Sequence, residues 1–552
     1  MKPVITSPPA AAGGTATHGH GWTQFTAGAV HVVHRGEPAA AQIVAAALAA
    51  PPCDAQSIAT RLVEIAGFYA VIGTGPGGTV GAVDHIRSTP LFYCRGPVTD
   101  GQAPVSTDAR ALTAGQPPFD PDAVREFAMA GYVTGADTLV PAIAQMEAGD
   151  VRVWQSGADT STQASSYRHW PDARDACSPE QARARLSDIA DIAFARTITK
   201  ANGRTIIVPL SGGLDSRLVL AKLAEHGARN LRAFSYGPGR NADAAVAQRV
   251  AARLGVEWEF IATGSRGARA ALPDVLRQEY GHFADGLCAV PNHQDLLALS
   301  VLRQRGRLPA DAMIVNGQTG DFVTGGHIPA ALMSDETIPL ETVITAILDK
   351  HYGLWRSLLT PANITAIRAR IADRLGIADS ATRPVSAAEA AAFFELWEYR
   401  ERQAKYVVGG QRIYDFLGLD WDLPLWDRDF TAFWRDAPLA DKYNQALYRD
   451  WLFDWDHTQV FSTISSRITA WPRALSAVLA PVAVATRLLA GRARRDRLFR
   501  YLNYFDRFSD HYRMFGFSTF KRHMHDMRNP ASLYAREWLE REGVDVDAIA
   551  RA

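Results

Sequence analysis

Hydrophobic positions follow two different patterns along the chain. In the first part, short apolar runs are separated by Gly and Pro, and the runs 66–72 and 80–83 predict the two strands of a hairpin. In the second part, strand-like apolar runs alternate with amphipathic stretches of helical period. The strands predicted there are 205–210, 231–236 and 256–261, and a helix is predicted over 243–254. This alternation indicates βαβ units, so we predict an α/β fold with a parallel sheet.

The length of 552 residues exceeds what one hydrophobic core usually organises, so we predict more than one domain. A polar stretch rich in Ser, Thr and Ala separates the two patterns. The predicted division is a disordered lead-in over 1–20, a first domain over 21–160, a linker over 161–178 and a second domain over 179–552. The later part of the second domain, from about residue 334, is predicted to be mainly helical.

Composition excludes several classes of protein. The formal net charge is +0, which gives the chain no general attraction to nucleic acid, so no nucleic-acid partner is predicted. The four cysteines are far apart and form no CxxC pair, which argues against a disulfide framework or a structural zinc site and fits a cytoplasmic location. No apolar run reaches the roughly 18 residues that a membrane-spanning helix needs.

The segment 474–500 is first apolar and then rich in arginine. Two interpretations of it stay open. In the first interpretation, the segment contacts an anionic membrane surface, which would place the protein at the inner face of the membrane. In the second, it forms a buried helix followed by a solvated face. Whether the chain forms a homodimer is likewise left open.

The sharpest local signal is the sequence SGGLDS, between a predicted strand and a predicted helix. Its residues are Ser211, Gly212, Gly213, Leu214, Asp215 and Ser216. Glycines let the backbone approach a charged ligand, and N–H groups at the start of a helix bind phosphate oxygens. The carboxylate of Asp215 is a ligand type that Mg²⁺ prefers. Since the lysine of a Walker loop is missing, we predict a phosphate loop of another kind.

This loop resembles the pyrophosphate-binding loop of N-type ATP pyrophosphatases, which split ATP between its α and β phosphates. A second segment, GQTGDFVTGG at 317–326, resembles the glycine-rich segment of asparagine synthetases. The resemblance implies that ATP and Mg²⁺ are the cofactors and that Asp321 joins Asp215 as a magnesium ligand. The nucleotide contacts that it further implies are Asn316, Gly317, Ser235 and Tyr236.

The first domain resembles the glutaminase domain of the same family at segments 66–70, 84–93 and 106–108. This resemblance implies an Ntn-like αββα sandwich. The family's glutaminase uses a cysteine directly after the initiator Met, with its free α-amine as the base. Here Lys2 occupies that position and the first cysteine is Cys53. We therefore predict a degenerate domain that does not hydrolyse glutamine.

The second domain departs from the family pattern as well. Gln318 stands where the family has an acidic base, and an amide cannot usefully accept a proton. His327 is either a base, a group that binds the acceptor, or an ordinary hydrogen-bonded histidine. The family's pyrophosphate-binding lysine is not clearly present, and Lys442 or Lys405 is its predicted substitute. The predicted catalytic residues are Asp215, Asp321, Gln318, His327 and Lys442.

The resemblance implies an AMP-forming carbon–nitrogen ligase, which adenylates a carboxylate and joins it to ammonia or an amine. Details of 316–327, 350–355 and 423–427 are similar to synthetase relatives of bacterial surface-polysaccharide loci, which implies a sugar carboxylate as the substrate. Two alternatives stay open. One is a peptide macrocyclase resembling lasso-peptide cyclases or β-lactam synthetase, and the other is a non-catalytic scaffold that binds nucleotide.

Overall fold

A computed structural model describes most of the chain. The described residues are 20–96, 104–113, 115, 117–155, 161–171, 178–237, 242–264, 270–464, 481–482, 484–489, 491, 494–495 and 509–551. The lead-in predicted over 1–20, including Lys2, therefore lies outside them except for His20.

Two antiparallel sheets form the described part of the first domain. The larger has six strands in the order β1-β2-β3-β4-β8-β9, and the smaller has three in the order β6-β5-β7. The strands are β1 (Trp22–Ala27), β2 (Val30–Gly36), β3 (Tyr69–Gly75), β4 (Gly78–Val83), β5 (Phe92–Cys94), β6 (Val105–Ser106), β7 (Ile143–Gln145), β8 (Asp150–Trp154) and β9 (Ser161–Ser165). The helices are α1 (Pro38–Ala49), α2 (Ala55–Leu62) and α3 (Pro121–Ala130).

Alternate side chains of β3 enter two different cores, because successive residues of a strand point to opposite faces. Val71 lies in a core with Val44 and Leu48 of α1, while Ile72 lies in a core with Tyr93 of β5 and Met146. Helices therefore cover one face of the large sheet and the small sheet covers the other. The Ntn-like αββα sandwich stays a prediction.

Residues 161–165 differ from the prediction, which assigned them to the linker. They form β9 and pair with the whole of β8, from Trp154 opposite Ser161 to Asp150 opposite Ser165. An edge strand with one solvated face needs few apolar side chains, so its composition is that of a loop. The remainder of the predicted linker between 172 and 177 lies outside the described residues.

A five-stranded parallel sheet in the order β12-β11-β10-β13-β16 forms the centre of the described second domain. Its strands are β10 (Ile206–Pro209), β11 (Leu231–Gly237), β12 (Glu257–Ala262), β13 (Met313–Val315) and β16 (Asp420–Asp422), while β14 (Ile338–Pro339) and β15 (Pro384–Val385) form a separate ribbon. The first helices are α4 (Pro179–Ala201), α5 (Leu214–Glu225) and α6 (Ala242–Arg253). The predicted α/β fold with a parallel sheet is confirmed.

The strand order reverses beside β10. The chain runs from β10 to β11 and β12 on one side, and then returns to place β13 on the other side. Such a switch point in a parallel sheet opens a crevice at the carboxyl ends of the two strands, where ligands bind. Both glycine-rich segments follow the strands that flank this crevice.

The rest of the described chain is mainly helical, as predicted. Its α-helices are Asp274–Ala284, Leu296–Gln304, Gly320–Val323, Leu340–His351, Pro361–Leu375, Ala387–Trp397, Arg412–Phe416, Arg428–Arg435, Leu439–Lys442, Ala446–Trp455, Ser509–His523, Pro530–Arg541 and Val546–Arg551. Short 3₁₀ turns are Arg110–Leu112, Ala330–Leu332, Arg356–Leu358, Ala378–Ser380, Val408–Gln411, Pro424–Trp426 and Tyr443–Gln445. The helix Ala387–Trp397 continues into a π-helix, Glu398–Val407, a rare element that is frequent at functional sites.

Among the described residues, none of the helices has the length and apolar character needed to cross a membrane. Val484, Leu488 and Leu489 lie in a helical stretch and expose 57%, 79% and 88% of their surface. The interpretation of this stretch as a buried helix is wrong for these side chains. Contact with a membrane surface stays a prediction, and much of 474–500 lies outside the described residues.

Buried charges join the first domain to the π-helix. The carboxylate of Glu401 accepts hydrogen bonds from the N–H of Gly135 and from Arg374, both at 2.8 Å, and pairs with Lys405. Arg374 also pairs with Glu147, and the Lys405 ammonium donates to the carbonyl of Gly135 at 2.6 Å. Burial would raise the pKa of Glu401, but Lys405 and Arg374 outweigh burial and lower it.

We predict that Glu401→Ala lowers the free energy of unfolding by about 3–5 kcal/mol, because Lys405 and Arg374 would lose the carboxylate that compensates their buried charge. The matched control is Glu389→Ala, which removes a solvent-exposed pair with Arg383 and should cost less than about 1 kcal/mol. Urea denaturation followed by circular dichroism measures both. A loss at Glu401 no larger than that at Glu389 would contradict the role of this network.

Candidate nucleotide and metal site

The SGGLDS segment forms a tight turn between β10 and α5. Gly213 is the residue before the first turn of α5, and Leu214 begins the helix. The hydroxyls of the two serines close the turn: the Ser211 N–H donates to Ser216 Oγ at 3.0 Å, and the Gly213 N–H donates to Ser211 Oγ at 3.1 Å. The turn is thus held in shape by its own side chains, with Gly213 exposed at the helix N-terminus.

Asp243 is a neighbour of this turn that the sequence analysis missed. Its Oδ1 accepts a hydrogen bond from the Gly212 N–H at 2.7 Å. Burial raises the pKa of Asp243, against the lowering effect of that N–H and of Arg217. The signal for it was weak, since Asp243 looks like an ordinary acidic residue in the first turn of α6.

Asp215 and Asp321 come together at the switch point. Gly317 and Gly320, which begin the second segment, pack directly against Asp215: a Cβ on Gly317 would lie 2.7 Å from the Asp215 carbonyl carbon, and one on Gly320 would lie 2.6 Å from its Cγ. Burial first, and the charge of Asp321 second, raise the pKa of Asp215 to about 7. The hydroxyl of Tyr448 donates to Asp215 Oδ1 at 2.8 Å.

Two adjacent carboxylates repel each other unless a proton or a cation lies between them. Asp215 is half-buried, whereas 55% of the Asp321 side chain is exposed. Carboxylate oxygens that face an open crevice are the donor set that Mg²⁺ prefers. The residues present therefore fit a magnesium ion bound by Asp215 and Asp321.

His327 bridges Asp321 to a buried glutamate. Its Nε2 lies 3.0 Å from Asp321 Oδ2, and its Nδ1 lies 2.6 Å from Glu398 Oε1. Burial would lower the pKa of His327, but Asp321 and Glu398 together raise it to about 9. The imidazole is thus held between two carboxylates, which favours its protonated form and places a positive charge beside Asp321.

Lys350 adds a second positive charge to this group. Its ammonium lies 2.9 Å from Glu398 Oε2 and donates to the backbone carbonyl of His327 at 3.2 Å. The side chain keeps 29% of its surface exposed, whereas that of Glu398 is fully buried. Glu398 opens the π-helix and so holds two cationic groups at the edge of the crevice. Glu398 belongs to no motif, and the sequence analysis missed it, whereas Lys350 begins the segment 350–355 that carries part of the resemblance but was given no role.

Gln318 and Asn316 belong to a hydrogen-bonded network behind the second glycine-rich segment. Asn316 Oδ1 accepts from the Gln318 N–H at 2.9 Å, and Asn316 Nδ2 donates to Gln411 and to Tyr414, both at 3.0 Å. The amide of Gln411 also donates to the side chain of Gln318. Asn316 is therefore used to shape the turn, and Gln318 is held by neutral partners, as expected for a residue without a base function.

The two residues predicted beside adenine lie at the end of β11. The Ser235 hydroxyl donates to the carbonyl of Leu210 at 2.6 Å and accepts from Trp258 Nε1 at 3.0 Å, so its contacts support the sheet. Tyr236 stacks on Phe234, with ring centroids 6.2 Å apart. Of this pair, Tyr236 is the better candidate for a nucleotide contact because Ser235 is almost fully buried.

The two lysines predicted to bind pyrophosphate, Lys442 and Lys405, both form ion pairs with buried glutamates. The ammonium of Lys442 is buried and pairs with Glu395, while the backbone of Lys442 packs against Gly325. The side chain of Lys405 is fully buried and bound to Glu401. The geometry favours neither lysine as a group that reaches a phosphate, because the side chain of each is itself buried together with its partner.

The fold and this crevice define an α/β domain with two carboxylates at the switch point of its parallel sheet. Residues 201–455 match the family model for asparagine synthase. The match supports an ATP-dependent, amide-forming ligase of the asparagine synthetase type. No curated protein sequence matches the chain.

We predict that Gly317→Ala weakens ATP binding about tenfold, because the new methyl group would collide with the backbone of Asp215 and Ser216 and an overpacked contact costs about 1–3 kcal/mol. The matched control is Gly409→Ala, where a Cβ would meet nothing within 4 Å. Titration calorimetry with ATP and Mg²⁺ measures both variants. Unchanged affinity in Gly317→Ala would show that the two turns do not form one binding site.

Proposed function

We propose that the protein is an AMP-forming ligase that adenylates a carboxylate at Asp215 and Asp321 and transfers the acyl group to ammonia or an amine. The observation that carries this proposal is the meeting of the two carboxylates beside the phosphate turn, at the switch point of the sheet. The family match over 201–455 supports the reaction class.

The residues of the crevice have two roles, which are to bind the phosphates and to hold the metal ion. The turn 211–216 presents the N-terminus of α5 to the phosphates, which favours negative charge there. Asp215 and Asp321 would hold a magnesium ion, which would shield the charge that develops on the leaving pyrophosphate. Gly317 and Gly320 let the second segment touch Asp215, and this contact brings the two carboxylates together.

We assign the role of the missing pyrophosphate lysine to Lys350, with His327 beside it. All three lysines pair with a buried glutamate, but the Lys350 side chain keeps 29% of its surface exposed, whereas those of Lys442 and Lys405 keep 7% and 0%. A cation at the edge of the crevice stabilises charge on a departing phosphate group. His327, held by two carboxylates, serves better as a positive group than as a base.

The nitrogen enters as ammonia or as a substrate amine. A glutaminase of this family needs a cysteine thiolate. Burial raises the pKa of Cys53, Cys94 and Cys288, so the environment of each described cysteine favours the neutral thiol over the thiolate. Gln318 cannot take a proton from the incoming nitrogen, so the reactive amine must arrive neutral. A sugar carboxylate is the proposed substrate class, on the resemblance of 316–327 and 423–427 to synthetases of polysaccharide loci.

Two rival functions differ in what they release. A peptide macrocyclase would form AMP with a peptide that carries both the carboxylate and the amine. A nucleotide-binding scaffold would release neither AMP nor pyrophosphate. The carboxylates of Asp215 and Asp321 suit metal-bound nucleotide in all three cases, so the released products separate the functions.

We predict that Asp215→Asn and Asp321→Asn each reduce carboxylate-dependent ATP–pyrophosphate exchange at least a hundredfold, because each removes a magnesium ligand. Exchange is measured with glucuronate as the carboxylate, together with circular dichroism to confirm folding. The matched control is Asp373→Asn, a surface aspartate of the helix Pro361–Leu375, which should keep full exchange. Full exchange in a folded Asp215 or Asp321 variant would contradict the metal assignment.

We predict that Lys350→Met raises the KM for pyrophosphate about tenfold in the same exchange, with a smaller change in the KM for ATP, because one charge-assisted contact is worth about 1.5–3 kcal/mol. Lys350→Arg should restore most of the affinity, since the charge returns. Lys521→Met, on an exposed position of Ser509–His523, is the matched control. An unchanged KM for pyrophosphate in Lys350→Met would assign the role to another residue.

We predict that the purified protein releases no glutamate from glutamine above the blank, whereas ammonium supports AMP formation at a rate that increases from pH 7 toward pH 9. The rate rises because the fraction of neutral ammonia increases with pH, since the pKa of the ammonium ion lies above that of an α-amine at about 8. Glutamate release and AMP formation are assayed in parallel, with an active glutaminase as positive control. Measurable glutamate release would contradict the account of the first domain.

A further inference from the structure

The described residues between 481 and 495 are helical and belong to none of the hydrophobic cores. In the described part of the chain, ten large apolar side chains are exposed, and four of them lie in this stretch: Val482, Val484, Leu488 and Leu489. Leu488 and Leu489 are the two most exposed of the ten. Exposed apolar residues that are scattered singly are ordinary, whereas a cluster of them marks a surface that binds a protein or a membrane.

The four apolar side chains share one side of the helix. Val482 and Leu489 are seven positions apart, and Val484 and Leu488 are four positions apart. At 3.6 residues per turn, these spacings bring all four to one broad face, on which Leu488 and Leu489 are neighbours. The stretch is therefore amphipathic, but no other described part of the chain covers its apolar face.

Arginine gives this stretch its charge. Arg487 and Arg494 are seven positions apart and lie on the side of the helix away from Leu489. Both are exposed, and neither forms an ion pair with a described carboxylate. The sequence from 457 to 500 contains eight arginines and one acidic residue, although the whole chain has a formal net charge of +0. The positive charge is thus concentrated around the exposed apolar face.

This combination fits a lipid surface of negative charge. A helix with an apolar face and a basic polar face lies in the plane of the membrane, with its apolar side chains at the boundary between headgroups and acyl chains. Arginines close to such a surface are attracted by anionic lipids. A second copy of the chain fits less well, because the arginines of the two copies would repel each other.

We propose that the helical stretch 481–495 binds an anionic lipid surface, with Leu488 and Leu489 inserted below the headgroups and with Arg487 and Arg494 at the lipid phosphates. The protein then lies on the membrane and does not need a spanning helix. The stretch contains no residue of the nucleotide crevice, so the lipid contact and the ligase reaction are tested separately.

The test is co-sedimentation of the full chain with two kinds of vesicle. One contains phosphatidylglycerol and phosphatidylcholine in equal parts, and the other contains phosphatidylcholine alone. We expect at least tenfold tighter binding to the anionic vesicles. An increase of NaCl from about 0.1 M to about 0.5 M should weaken this binding, because salt screens the attraction between surface charges. Equal binding to both vesicles, or binding to neither, would overturn the proposal.

Double variants of the helix locate the contact. Leu488→Ser with Leu489→Ser should weaken binding to the anionic vesicles at least tenfold, because the acyl chains would no longer cover two leucine side chains. Arg487→Gln with Arg494→Gln should weaken it about twentyfold, since each arginine near an anionic surface contributes about fivefold.

The matched controls are exposed residues elsewhere on the protein. Val275→Ser removes an apolar side chain that is 64% exposed, and Arg383→Gln removes an exposed arginine. Both should bind the anionic vesicles as the unmodified protein does, and circular dichroism confirms that all variants fold. Unchanged binding in the two folded double variants would place the lipid contact elsewhere and overturn the proposal.

Sedimentation velocity without lipid tests whether a second copy covers the same face. We expect the double leucine variant to sediment as the unmodified protein does over the same range of concentration. Self-association that depends on concentration and disappears in the double leucine variant would assign the apolar face to a second copy and overturn the proposal.

Discussion

The contact between the two glycine-rich turns is the constraint on which the site depends. β10 and β13 are parallel neighbours, so the turns that follow them leave the sheet at the same edge. Gly317 and Gly320 then approach Asp215 so closely that no Cβ would fit. This approach places Asp321 beside Asp215 and makes two like charges share one crevice. A divalent cation between the two carboxylates would remove that repulsion, and this is the physical basis of the proposed magnesium site.

The π-helix Glu398–Val407 connects this crevice to the rest of the molecule. Its first residue, Glu398, holds His327 and Lys350 at the crevice. Glu401 and Lys405, on the same element, bind the backbone of Gly135 in the first domain. The same ten-residue element therefore positions the cationic groups of the site and anchors the neighbouring domain.

These contacts give the first domain a structural purpose that is independent of glutamine chemistry. The side chain of Arg428 donates to the carbonyls of Leu62, Ile65 and Ser166, and His85 lies 2.9 Å from the carbonyl of Trp426. Removal of the first domain would thus expose buried charge on the second, whichever nitrogen source the ligase uses.

The sequence by itself determined the parallel sheet and both glycine-rich turns, because strand and helix periods and the glycine positions are local properties of the chain. It also singled out Asp215 and Asp321, each within its own glycine-rich motif, and their role as metal ligands stays a prediction. Only the tertiary structure decided which carboxylate each lysine pairs with and whether that pair is buried. Lys442 and Lys405 are buried on glutamates, while Lys350 and Glu398, 48 residues apart, meet at the crevice. Such ion pairs depend on which helices pack together, and this packing cannot be predicted from the local sequence around either residue.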